Sequence, residues 1–319
     1  MKSRKPIAAI CYDFDGTLSP GNMQEYGFFP GLTKKDRDTF WNQSEAMAKE
    51  NGADSILSYM FLMLEKARNN LALKTTKQAI RDYGKEIELY PGVEKWLKRV
   101  TAYGNKIGVR VEHYIVSSGL VEMIDGCPIS KLFKRIYACS FKYDQNEVAE
   151  WPAQAVNCTT KTQFLFRISK AADDLSDTKK LNEPIKEEDR HVPFSRMIYI
   201  GDGSTDVPCM TVVKTRGGHS IAVYKPKSKK KQEALRFYKE GRANFCVPAD
   251  YSDGKALEIT VKAILDKIKA DWVIKQLEPK ESPTISSDRG ANDGSTSIED
   301  QTDQVENAES TSAELDESH

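Results

Sequence analysis

Two aspartates one residue apart, Asp13 and Asp15, followed at once by Gly16 and Thr17, form the first group of side chains in this chain with the means to do chemistry. Neighbouring carboxylates repel if both are ionised and bare, so the pair implies a divalent cation between them or a proton on one of them. A second acidic group, Gly201-Asp202-Gly203-Ser204-Thr205-Asp206, repeats the combination of tight glycine turn and paired carboxylates. Between the two lie Ser117-Ser118-Gly119, where hydroxyls and backbone N–H groups could cradle a phosphate, and Lys161, a cation at a helix start, where it opposes the helix dipole. Each piece alone has an ordinary reading: an acidic turn, a strand-to-helix cap, a solvated lysine. An EF-hand is ruled out for both acidic groups. Its loop needs an oxygen ligand at the fifth position, glycine at the sixth and glutamate at the twelfth. Counted from Asp13 these are Thr17, Leu18 and Gln24, and counted from Asp202 the glycine position holds Val207.

Apolar runs of strand length lead into three of these groups: residues 7–12 into Asp13, residues 113–116 into Ser117, and residues 197–200 into Gly201. Such runs suit buried strands of a parallel sheet, and open α/β sheets bind ligands at the carboxyl ends of their strands. Residues 136–141, 220–224 and 244–247 read as further strands, with a polar, aromatic connection holding Asp144, Trp151 and Pro152 after the first of them. Helices are predicted from Pro91-Gly92 to near Gly104, over 120–125, over 164–172, from Pro208 toward Thr215, through Ala234, Leu235 and Phe237, and over 256–277. Between the first two strands, residues 18–31 read as an irregular loop or small hairpin. Three helices follow, the first capped by Thr33, the second by Asp54 or Ser55, and the third spanning Thr76 to Lys85. This block has no strand-like run. The expected fold is therefore α/β, a Rossmann-like parallel sheet core built from residues 1–18 and 91–278, with a helical cap inserted over 19–90. From Pro279 to His319 the composition shifts to Ser, Thr, Asp, Glu, Asn and Gly, which predicts a disordered acidic tail dispensable for chemistry.

With 319 residues the chain can bury a full core. Lys+Arg and Asp+Glu number 47 each, a net charge of +0, so no global field favours nucleic acid or a membrane surface. The lysines of residues 225–231 lack interleaved aromatics and read as a solvated loop rather than a nucleic-acid site. No stretch approaches the roughly 20 apolar residues that span a bilayer. The six cysteines are scattered without Cys-x-x-Cys spacing, which argues against zinc or redox work. The expectation is a soluble, cytoplasmic protein.

In order, the chain presents Asp-x-Asp-Gly-Thr, a serine at a strand end, a lysine before a helix and Gly-Asp-x-x-x-Asp. This ordered set resembles the haloacid dehalogenase (HAD) superfamily of phosphohydrolases, and its phosphoserine-phosphatase-like branch in particular, from about Ile7 to Val247. The resemblance implies a HAD-like core with a cap inserted after the first strand, and a small phosphomonoester as substrate. It implies that Asp13 is the nucleophile taking up the phosphoryl group, and that Asp15 is first general acid and then general base. It implies Mg2+ held by Asp13, the backbone carbonyl of Asp15 and Asp202, with Asp206 a ligand directly or through water. Thr17, Ser117, Ser118, Gly119 and Lys161 would then bind phosphate. Departures weigh against phosphoserine as the substrate. Thr205 stands where phosphoserine-specific members carry asparagine, Ser118-Gly119 replaces a glycine pair, and Asn22 or Glu25 stands near the place of a glutamate. Two alternatives use the same residues: a phosphomutase or phosphotransferase, which would return the phosphate, and a non-catalytic binding module, which would tolerate loss of motif residues that are all present here. A true dehalogenase needs neither Mg2+ nor an acid at Asp15.

Overall fold

The computed structural model of the chain describes residues 5–278. The predicted tail, 279–319, lies outside the described residues. The run ahead of Asp13 forms β1 (Ile7–Tyr12), whose last five residues are all buried. Because alternate residues of a strand point to opposite faces, both faces of β1 are covered. The chain continues through α1 (Met23–Gly27), α2 (Lys34–Asn51), α3 (Ser55–Arg68), α4 (Lys77–Tyr83) and α5 (Val93–Ile107) to β2 (Arg110–Leu120). Then come α6 (Val121–Gly126), β3 (Arg135–Tyr143), β4 (Ala149–Gln154), α7 (Lys161–Lys170) and α8 (Thr178–Asn182). The last third holds β5 (Met197–Gly201), α9 (Val207–Thr215), β6 (His219–Tyr224), α10 (Lys230–Lys239), β7 (Phe245–Pro248) and α11 (Ala256–Leu277).

The strands form one sheet in the order β4-β3-β2-β1-β5-β6-β7. Every pairing is parallel except β3 with β4, which is antiparallel. The chain leaves β1 toward β2 and β3, then returns to the other side of β1 to build β5, β6 and β7. The boundary between β1 and β5 is thus the switch point of the topology, where such sheets open a crevice for ligands. Helix α5 packs against β2 and α11, while α7 packs against β2 and α9. On β1, Tyr12 accepts a hydrogen bond from Trp96 Nε1 of α5 at 2.9 Å, which ties the strand to that layer.

Local signals account for the helices between β1 and β2. Thr33 Oγ1 accepts from Asp36 N at 3.1 Å to start α2, and Gly52 ends it at φ 59°, in the left-handed region glycine tolerates. Asp54 Oδ1 accepts from Ile56 N and Leu57 N to start α3. Three segments differ from the sequence reading. Residues 18–31 are neither loop nor hairpin throughout but hold α1 and a 3-10 turn, Phe29–Gly31, whose apolar residues Met23, Phe28 and Phe29 are buried. The connection after β3 contains β4, antiparallel to it, with Trp151 exposed. Strand β2 starts at Arg110, ahead of the His113 read from the sequence, and runs through Ser117, Ser118 and Gly119, with a register shift against β3 between Val116 and Leu120. Such a bulge leaves strand residues free to face a site.

Candidate active site

The ends of β1, β2 and β5 deliver Asp13, Ser117 and Asp202 to one cavity of about 440 Å³. Asp15, Ser118, Lys161 and Thr205 line it as well. Its size falls in the range of small-molecule pockets. Asp13 continues the sheet ladder by donating its N–H to Ile200 O at 2.9 Å, which fixes it beside β5. Its Oδ1 accepts from Lys161 Nζ at 2.8 Å. Asp15, half-buried, accepts from Met23 N at 3.0 Å.

Gly16 turns the chain at φ 78°, and a Cβ there would stand 2.2 Å from Asp202 Oδ2. Only glycine fits, both for its backbone angle and for the approach of the second acidic group. At Gly201 the constraint is steric alone, since a Cβ there would lie 2.5 Å from the Asp206 carboxyl carbon.

Lys161, the first residue of α7, is fully buried, and its Nζ bridges Asp13 Oδ1 and Asp206 Oδ1, the latter at 2.7 Å. Burial alone would lower its pKa, but the two carboxylates outweigh that and hold the ammonium charged. Asp206 is saturated as an acceptor. Oδ1 also takes the Tyr199 hydroxyl at 2.7 Å, and Oδ2 takes the N–H groups of Asp202 and Gly203, each at 3.1 Å. Carboxylate oxygens of Asp13, Asp202 and Asp206 lie within 4.8 Å of one another. That all-oxygen donor set is of the kind hard divalent cations take.

Burial, then the Asp206 charge, pushes Asp202 up to about 6. The same two causes push Asp13 up to about 7, against the pull of Lys161. Asp15 is raised well above the usual carboxylate range by burial first and the Asp13 charge second. A shift in that direction favours the protonated form, the form that can act as an acid.

Of the residues singled out in the sequence, Asp13, Asp15, Ser117, Ser118, Lys161 and Asp202 line the cavity, and Thr17, Gly119 and Asp206 do not. The Gly119 N–H is taken by Ser117 Oγ at 3.0 Å, so it is not free to cradle a ligand. Thr17 Oγ1 and Ser118 Oγ are buried without a hydrogen-bond partner among the described residues. Sequence reasoning missed Tyr199, Gln24, Trp41, Tyr59 and Lys230. Tyr59 donates to Ser118 O at 2.8 Å and Trp41 Nε1 to Glu25 Oε1 at 3.2 Å, and both residues line the cavity. Lys230, from the lysine run read as solvated, reaches Asp202 Oδ2 at 3.0 Å. Nothing local marks it, because its partner is set by the pairing of β5 with β6.

The family profile described as haloacid dehalogenase-like hydrolase matches residues 10–211. A protein of Borreliella burgdorferi described as uncharacterized is 27% identical over 283 residues, covering 81% of this chain and 96% of that one. Among solved structures, a substrate-bound phosphoserine phosphatase complex superposes with a TM-score of 0.50 at 15% identity, covering 81% of this chain and 99% of that one. A HAD family hydrolase of Salmonella enterica serovar Typhi gives 0.49 at 17% identity, covering 76% and 68%. At these identities the structural likeness concerns the fold. Among the described residues no helix is long and apolar enough to cross a membrane.

Proposed function

The chain belongs to the haloacid dehalogenase-like hydrolases, and from that premise we propose that it is a Mg2+-dependent phosphomonoesterase acting on a small phosphorylated metabolite. The observation that carries this reading is the meeting of Asp13, Asp15, Ser117, Lys161 and Asp202 in one cavity at the carboxyl ends of adjacent strands.

An oxygen of Asp13 attacks phosphorus, and the bond from phosphorus to the leaving oxygen breaks as Asp15 gives that oxygen its proton. Asp15, now ionised, takes a proton from water, whose oxygen displaces the phosphoryl group from Asp13 and restores the carboxylate. A carboxylate needs no prior deprotonation to attack, and burial and the Asp13 charge shift Asp15 toward its protonated form, which suits the first step. Ser117 and Lys161 hold the other phosphoryl oxygens, Lys161 offsetting charge that grows in transfer.

Mg2+ would be held by Asp13, the Asp15 carbonyl and Asp202, where it would neutralise phosphoryl charge. Asp206, with both oxygens already engaged, fits best as the residue that fixes Lys161 and the turn of Asp202, in contact with the ion through water. Residues 19–90 serve in this reading as a cap. Gln24, Glu25, Trp41, Ile56 and Tyr59 come from that block and line the cavity, so they would choose the leaving group and exclude water.

Phosphate release from a panel of small phosphomonoesters and an aryl phosphate, with and without Mg2+, tests the reading against Asp13→Asn. Mg2+-dependent release that falls to background in the variant is the expected result. Equal activity in the variant removes Asp13 as nucleophile, and a return of phosphate to a second hydroxyl of the substrate would make the enzyme a mutase.

A further inference from the structure

All five lysines of the run at residues 225–231 are exposed, but one of them is set apart by what it contacts. Lys230, the first residue of α10, lines the cavity and places Nζ 3.0 Å from Asp202 Oδ2. It lies beyond the stretch 10–211 that the family profile covers.

The two ammonium groups of the site are held in opposite ways. Lys161 is wholly buried between two carboxylates and has nowhere to go. Lys230 has a side chain 57% exposed and, among the described residues, one carboxylate partner, so its bond is weak and its four-carbon stem is free to swing. Asp202 is in the reverse position. Its side chain is 8% exposed, and among the described residues Lys230 is its one hydrogen-bond donor. A buried carboxylate beside Asp13 and Asp206 needs a counter-charge, and Lys230 supplies it.

We infer that the Lys230 ammonium is a resident counter-ion on Asp202 that a divalent cation must displace, so that Lys230 sets how tightly the cation is held. The inference rests on the reading of Asp202 as a cation ligand. An ammonium and a dication sharing one carboxylate repel strongly at contact distance, even with partial solvation. Glu233, one turn further along α10 and lining the same cavity, offers the displaced ammonium a second partner.

Titration calorimetry of Mg2+ into the metal-stripped full chain tests this with wild type, Lys230→Met and Lys231→Met. The last makes the same change in net charge one residue away from the contact. Lys230→Met should bind Mg2+ about tenfold more tightly than wild type, and Lys231→Met within about twofold of it. The metal-free Lys230→Met protein should melt below wild type, with the deficit recovered at saturating Mg2+. Tight binding by all three proteins with equal constants, or weaker binding by Lys230→Met, overturns the inference while leaving Asp202 a ligand. Absence of Mg2+ binding in all three overturns both that ligand role and the inference built on it.

Discussion

Asp13 shares its Oδ1 with Lys161, whereas among the described residues Asp15 accepts only the backbone N–H of Met23, and this difference gives the two carboxyls different work. If Asp15 is both acid and base, Asp15→Asn should slow alkyl phosphates by about 10²–10⁴-fold, the usual worth of a positioned proton donor. An aryl phosphate, whose leaving group needs no proton, should still give a burst of about one equivalent and then stall, with the phosphoenzyme visible by intact mass. Wild-type turnover of an alkyl phosphate by this variant would sink the assignment. Away from the site, His113 is buried between the Tyr12 hydroxyl and Thr101 Oγ1, each 3.0 Å from a ring nitrogen. Burial drops its pKa from about 6.5 to about 4. The native state therefore binds fewer protons than the unfolded chain between these values, so stability is full above about 6.5 and is lost as pH falls toward 4. The loss is about 3 kcal/mol. Urea melts at stepped pH should show that much of the acid slope vanish in His113→Gln, and an unchanged slope would contradict it.

At the scale of elements, the turns after β1 and β5 are built into one another. Gly16→Ala would drive a methyl into the Asp202 carboxylate at an angle alanine tolerates poorly. We expect phosphate release to fall at least about a hundredfold, since misplacement by about 1 Å is that expensive, with a stability cost of about 1–2 kcal/mol by thermal melts. Near-normal release would mean that the two turns are not coupled. These elements were readable because apolar runs ending in acid and glycine carry a local signal, and Thr33 and Asp54 announced α2 and α3 by the same kind of chemistry. What was not readable depended on partners distant in sequence. Strand β4 hides behind Trp151-Pro152, which looks like a turn until β3 pairs with it. The short α1 is disguised by the glycines, prolines and aromatics around it. Lys230 acquires meaning only when β5 and β6 lie side by side, and in isolation a lysine run is a solvated loop; Tyr199 meets Asp206 only seven residues on, but a strand tyrosine reads as core.

For the molecule as a whole, the order of strands matters more than any one of them. With β1 flanked by β2 and β5, residues more than a hundred positions apart converge without a long loop. Among the described residues, those lining the cavity lie between Asp13 and Glu233, and the composition of residues 279–319 predicts a tail without a part in the chemistry. A chain ending at Glu278 should accordingly keep full kcat/KM and melt within about 2 °C of the full chain. A tenfold loss of activity would give residues 279–319 a part in the chemistry. The two outer strands have a consequence of a different sort. Strand β4 is six residues long and contains Pro152, and β7 is four residues long and ends in Pro248. Each flank of the sheet thus carries a residue with no N–H to offer and too short a run to template another chain. The sheet is finished at both sides, and this guards crowded copies of the protein against edge-to-edge aggregation.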